Sequence, residues 1–220
     1  MDLIQQIIDF ILHIDVYLSD IIAQYGAWTI AILFVIIFIE TGVVVMPFLP
    51  GDSLLFAAGT FAARGSLNVW ALLIFLSLAA ILGDTVNYWI GHRVGAKAYT
   101  GEVKWVKQEH MERTHAFFDK YGGKAIFLAR FVPIVRTFAP FVAGISQMNY
   151  GYFLRWNVIG GITWVTTFTL LGFFFGNIPF VQENFELVII AIVVISVIPA
   201  VMEALKARKD TRKPKLEAEG

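Results

Sequence analysis

Residues 38–65, FIETGVVVMPFLPGDSLLFAAGTFAARG, begin and end apolar, yet Glu40, Pro47, Pro50, Gly51 and Asp52 stand between the two runs. The arm after the break, 53–63, has eleven residues. At about 1.5 Å per residue it covers about half of a ~30 Å hydrocarbon core. It therefore turns back instead of crossing. A second stretch, KAIFLARFVPIVRTFAPFVAG at 124–144, carries Arg130, Pro133, Arg136 and Pro140 in a similarly apolar setting.

The surrounding composition makes the membrane reading firm. Hydrophobic residues are 58% of the 220 and charged residues only 15%, and the charges are clustered. Seventeen basic and seventeen acidic side chains cancel, so charge offers no argument for a nucleic-acid partner. Cysteine is absent, which excludes thiol chemistry and disulfides. The N-terminus has neither a basic n-region nor a small-residue cleavage site, so no removable signal peptide is expected.

The expected fold is all-α and integral to the membrane, in one domain. Gln5, Asp9 and His13 share one face of an otherwise Ile/Leu-rich stretch, so 1–24 reads as an amphipathic N-terminal helix. Re-entrant hairpin 1 follows over 27–63, then a transmembrane helix over 68–91. An amphipathic surface helix is expected over 100–121 and re-entrant hairpin 2 over 124–147. Two more transmembrane helices occupy 149–175 and 184–205, and a basic tail closes the chain over 206–220. The loop between the first two spans and the tail are both rich in Lys and Arg, while 176–186 has none. With hairpin 2 re-entrant, loop and tail fall on the same, cytoplasmic side, as the positive-inside rule requires.

An internal repeat emerges from paired landmarks. Tyr25-Gly26 and Tyr121-Gly122 each precede an apolar run broken by two prolines, and the runs end in Ala58-Gly59 and Ala143-Gly144. Asn68 and Asn149 then each stand 23 residues before the first glycine of a GxxxG, Gly91/Gly95 and Gly172/Gly176. A unit of hairpin plus span crosses once, so its second copy enters from the opposite face, a pattern found in transporters. Glu40, Asp52, Arg130 and Arg136 would together cost on the order of 10 kcal/mol if exposed to lipid. They are expected to compensate one another where the two hairpin tips meet, since irregular backbone at that depth must be buried in protein or line a wet cavity.

The motifs ETG, PFLPGDSLLF, GDTVNY, GGK, RFVPIVRTFAPFVAG and NVIG resemble the DedA family of bacterial inner-membrane proteins over nearly the whole chain. That family belongs to one superfamily with eukaryotic endoplasmic-reticulum lipid scramblases. The resemblance implies two inverted re-entrant hairpins, lipid translocation and dependence on the proton-motive force. Undecaprenyl phosphate and phosphatidylethanolamine are the substrates reported for different members. The acidic positions essential in relatives match Glu40 and Asp52, and the essential arginines match Arg130 and Arg136.

Each side chain then has two readings. Arg130 and Arg136 either pair with Glu40 or Asp52 to hold the hairpins together or clamp a phosphate, which a guanidinium fork suits; the clamp is preferred. Asp52 follows Pro-Gly and is expected to cap the short arm. Glu40, without such a role, is the preferred proton-coupling carboxylate. Asp84, Asn87 and Tyr88 either line the cavity or only hydrogen-bond to neighbouring helices. The hairpin breaks are assigned to Pro47, Pro50, Gly51, Pro133 and Pro140, and the GxxxG pairs to helix packing.

No cofactor or metal is expected. His110, Glu112, His115 and Asp119 read as the solvated face of a helix. No HExxH, CxxC, P-loop or membrane-phosphatase signature occurs, so no enzyme is expected. The function expected is proton-linked lipid flipping in the bacterial inner membrane, with the lipid phosphate and protons as partners and homodimerisation left open. A proton-coupled ion or solute transporter is the alternative, and a lipid-modifying enzyme the third reading.

Overall fold

The computed structural model describes residues 13–43, 51–99, 122–185, 187–192 and 194. Among these every regular element is helical. In chain order they are α1 (Ile14–Tyr25), a 3-10 turn (Gly26–Trp28), α2 (Thr29–Gly42), α3 (Gly51–Ala63), α4 (Val69–Tyr99), α5 (Lys124–Ala129), α6 (Pro133–Ile145), α7 (Tyr150–Phe175) and α8 (Pro179–Glu183). Pro47, Pro50, the helix expected over 100–121 and the tail over 206–220 lie outside the described residues, as does most of the span expected over 184–205. Residues 187–192 of that span are helical.

Among the described residues three helical runs are long and apolar enough to cross a membrane: Ile14–Gly42, Val69–Gly95 and Tyr150–Phe175. The second outlasts its expected end at 91. The first joins a helix expected to lie on the surface to a hairpin arm, and it is bent. Gly26 has φ +54, and the Thr29 hydroxyl donates to the Ile21 carbonyl at 3.4 Å. In a straight helix eight residues would separate those groups by about 12 Å.

The two long helices begin on side-chain caps. Asn68 Oδ1 accepts from the Ala71 amide at 3.0 Å and Asn149 Oδ1 from the Tyr152 amide at 3.1 Å. Each cap satisfies a donor that the helix itself leaves unpaired. On α4, Ile74, Leu78, Leu82 and Val86 are exposed at four-residue spacing, an apolar stripe suited to lipid. By contrast, α3 is buried on every side from Gly51 to Ala62, so its place is the centre of the bundle.

Four shorter helices pack pairwise on the two long ones. α2 and α6 lie against α4; α3 and α5 lie against α7. Glycines set how closely. A Cβ at Gly59 would sit 2.1 Å from the Thr169 carbonyl oxygen, and one at Gly172 would sit 1.9 Å from that of Phe56. The same geometry recurs on α4, where a Cβ at Gly144 would lie 2.1 Å from the Tyr88 oxygen and one at Gly91 2.1 Å from that of Phe141. Only hydrogen side chains allow these backbone approaches.

These contacts fix where the short helices end. Gly42, the last residue of α2, lies against Gly83. Asp52, at the start of α3, reaches Trp164. Arg130, just past α5, lies beside Gly160 and Gly161, and Thr137 in α6 meets Asn87. All four meeting points fall near the middle of α4 or α7.

Pro140 is not a break. It lies inside α6, which continues to Ile145. The chain turns at 130–132 instead, and Pro133 opens α6, where its missing N–H is one the helix would leave unpaired anyway. The cost of Pro140 is confined to the ladder bond it cannot make. One turn earlier, the Thr137 carbonyl accepts from Asn87 Nδ2 at 2.7 Å.

Candidate functional site

Five buried charged side chains converge where the helix ends meet. Glu40, Asp52, Asp84, Arg130 and Arg136 are each 7% exposed or less. Helix fields do not favour all of them. Glu40 is near the negative C-terminal end of α2 and Arg136 near the positive N-terminal end of α6, so each sits against the dipole of its own helix. What holds them is pairing.

Arg136 binds two carboxylates at once. Its Nη2 donates to Glu40 Oε1, and its Nη1 donates to Asp52 Oδ1 at 2.9 Å. Glu40 Oε1 also accepts from the Gly51 amide at 3.2 Å. Asp52 Oδ1 accepts from the Trp164 indole at 2.8 Å. The Arg136 guanidinium carbon lies 4.6 Å from the Trp164 ring centroid, within cation–π range. This single arginine thereby ties α2, α3, α6 and α7 together.

Arg130 belongs to a second group. Its Nη2 donates to Asp84 Oδ2 and to Asn157 Oδ1. Asn157 Nδ2 donates in turn to the Ile81 carbonyl at 3.0 Å. Asn87 Nδ2 donates to the carbonyls of Thr41 at 3.2 Å and Thr137 at 2.7 Å, joining the end of α2 to α6. Tyr88 turns into a separate aromatic cluster, stacking on Phe153 at 4.5 Å, and its hydroxyl donates to the Met148 carbonyl.

Several expectations are corrected here. Glu40 and Asp52 share Arg136, while Arg130 takes Asp84. Asp52 is within α3's first turn, and the amide of the helix's first residue, Gly51, donates to Glu40. The contrast between a capped Asp52 and an uncapped Glu40 therefore does not hold. Trp164 and Asn157 were missed, although a signal existed. Asn157, Gly160, Gly161 and Trp164 repeat at helical spacing within an apolar run, and an intramembrane polar residue is a default pointer to function.

The charge count limits the chemistry. Two guanidinium groups meet three carboxyl groups, leaving one negative charge in excess if all are ionised. An uncompensated buried charge is costly, so the group is set up to hold a proton or to exchange partners. Among the described residues no three His, Cys, Asp or Glu side chains are grouped to hold a metal ion.

Comparison with known proteins covers almost all of this arrangement. Residues 49–174 match the VTT domain. The chain is 52% identical over 212 residues to Protein DedA of Escherichia coli K12, covering 95% of this chain and 97% of that protein. It is 41% identical over 191 residues to the uncharacterized membrane protein Rv0364 of Mycobacterium tuberculosis, covering 86% and 84%. It is 36% identical over 149 residues to the inner membrane protein YqjA of E. coli K12, covering 67% and 68%. No solved structure matches. With the VTT-domain match spanning more than half its length and relatives aligned nearly end to end, the chain belongs to the DedA family of membrane proteins.

Proposed function

We propose that this chain moves a phosphate-bearing lipid between the leaflets of a bacterial inner membrane, and that proton uptake drives the exchange. The observation that carries the reading is the buried cluster in which two guanidinium groups are held by three carboxylates. A phosphomonoester, with about −1.5 to −2 charge at neutral pH, is the natural competitor for those carboxylates. It binds a guanidinium fork as well as they do. Its arrival raises the excess negative charge, so displaced carboxylates take up protons. Coupling between substrate and proton follows from the charge count, with Glu40, Asp52 and Asp84 as the acceptors available.

The remaining architecture supports transport across the bilayer. In this reading α2–α3 and α5–α6 are re-entrant hairpins related by an inverted repeat, each stopping halfway along α4 and α7. Exposed Trp28 and Trp70 lie at one end of the bundle and exposed Trp89 and Tyr152 at the other, as interfacial belts do. Exposed Arg93, Lys97, Lys124 and Arg155 all gather at the second end. That end is therefore cytoplasmic, together with the basic C-terminal tail.

Lateral apolar grooves favour a lipid over a soluble ion or solute. One of about 460 Å³ is lined by Ala27, Trp28, Ile30, Ala31, Phe34, Val35 and Phe75. Another, about 500 Å³, follows one face of α7 from Ile162 to Phe175. Undecaprenyl phosphate and phosphatidylethanolamine are the substrates to test first. No enzymatic step is required, and no cofactor enters.

The test is reconstitution into liposomes containing labelled undecaprenyl phosphate or phosphatidylethanolamine, with and without an imposed proton gradient. Headgroup movement between leaflets that accelerates with the gradient is expected. Movement no faster than in protein-free liposomes, for every phosphate lipid and either gradient direction, contradicts the proposal.

A further inference from the structure

The two arginines of the site are held very differently. Arg136 bridges Glu40 and Asp52 through two nitrogens and packs on Trp164. Arg130 makes its contacts to Asp84 and Asn157 through Nη2 alone. Its Nε and Nη1 have no partner, whereas Arg136 lacks one at Nε alone; among the carboxylates Asp84 Oδ1 and Glu40 Oε2 are also unmet, although Arg130 and Asp84 are each 2% exposed. Beside Nε and Nη1, α7 presents the glycines Gly160 and Gly161, with Asn157 on Nη2 and the Trp164 ring 6.0 Å from the guanidinium carbon. A Cβ at Gly160 would lie 3.4 Å from Arg130 Nε, and one at Gly161 3.5 Å from Nη1. Buried donors left unmet are costly until an acceptor arrives.

We infer that the arginines divide the work: Arg130 is the residue that binds the substrate's phosphate, Asp84 is its exchangeable resident partner, and Arg136 fastens the helices without touching substrate. This rests on the anion-carrying reading above and goes beyond it by making the two arginines unequal and Asp84 a working residue. The surroundings of Asp84 explain why displacement takes a proton. Glu40 comes from α2, Asp52 from α3, Arg136 from α6 and Arg130 from the α5–α6 turn, while α7 supplies only neutral Asn157. Once Arg130 turns to a phosphate, Asp84 has lost its own cation while Glu40 remains a charged neighbour and Arg136 stays committed to Glu40 and Asp52. One proton on its carboxyl oxygen restores neutrality there, and the phosphate oxygens accept the Arg130 N–H groups in its place. Asp84 is thus a positioning residue that competes with the ligand.

The two roles separate in a binding experiment, because losing a competitor strengthens binding whereas structural damage weakens it. Full-length protein in detergent micelles would be titrated at neutral pH with dioleoyl phosphatidic acid, using phosphatidylcholine as the control. Asp84→Asn should bind phosphatidic acid about tenfold more tightly, and Arg130→Lys about tenfold more weakly. Arg136→Lys, compared as monodisperse protein, should lose less affinity than Arg130→Lys. If Asp84→Asn does not accumulate, Asn157→Asp replaces it. That variant places a second carboxylate on Arg130 Nη2 and should weaken binding about tenfold. Unchanged or weaker binding by Asp84→Asn, unchanged binding by Asn157→Asp, or equal losses at the two arginines would overturn the division of labour while the transport proposal stands. Wild-type protein that does not distinguish phosphatidic acid from phosphatidylcholine would overturn both.

Discussion

At the scale of single residues, the cluster's excess negative charge makes its members unequal in what their loss does. Removing one carboxylate's charge brings the group to neutrality; removing a guanidinium strands two carboxylates in a low-dielectric interior. Glu40→Gln keeps a side-chain oxygen for the Gly51 amide, so it should accumulate in the membrane near the wild-type level. Arg136→Gln should lose about 3–5 kcal/mol and fail to accumulate; immunoblots of membrane fractions make the comparison. Trp164 has two separable contributions. Trp164→Phe removes the indole bond to Asp52 but keeps a ring face for Arg136, at a cost of about 1–2 kcal/mol. Trp164→Leu removes both and should unfold at a lower temperature than Trp164→Phe, as read by thermal melts of purified protein in detergent. From the sequence alone it was legible that Glu40, Asp52, Arg130 and Arg136 each need compensation, because none is tolerable alone at that depth; that Arg130 takes it from Asp84 was not. Which carboxylate faces which arginine was not legible. Asp84 is 46 residues from Arg130, and only the packing of α5 on α7 and of α4 beside it brings the two together.

At the scale of elements, backbone proximity decides more than side-chain chemistry. Gly59 and Gly172 on one side, and Gly91 and Gly144 on the other, let α3 and α6 settle onto α7 and α4. Gly172→Ala places a methyl against the Phe56 carbonyl and should cost at least about 1–3 kcal/mol. Gly151→Ala, whose Cβ would come no closer than 3.3 Å to Asn149 Oδ1, should be nearly neutral; thermal melts of the two variants check the contrast. Paired landmarks in the sequence marked both features: the GxxxG glycines are packing contacts and Asn68 and Asn149 are helix caps. Pro140 misled for a reason that can be stated. A proline inside an apolar run signals a break only if the rest of the helix cannot absorb one missing bond. Here α6 absorbs it at Pro140, buried against α4, while the turn falls earlier at Arg130–Val132. The N-terminal bend falls at Tyr25-Gly26, between the helix expected over 1–24 and the hairpin expected from 27, and Gly26 turns there with φ +54.

At the scale of the whole molecule, the proposed transport depends on two helix pairs stopping halfway along two long helices, with their charged ends in contact. If both pairs entered from the same face, the site would open to one leaflet only and no lipid headgroup could be passed across. In the proposed cycle, opposite entry would give the cluster access to each leaflet in turn, with the basic residues at one end of the bundle setting the orientation. The absence of cysteine makes this directly measurable. Ser66→Cys, exposed after α3, and Lys124→Cys, exposed at the start of α5, would each be probed with a membrane-impermeant maleimide in intact spheroplasts and in inverted vesicles. Opposite entry predicts that position 66 reacts in spheroplasts alone and position 124 in inverted vesicles alone. Reaction of both positions from the same side would contradict it.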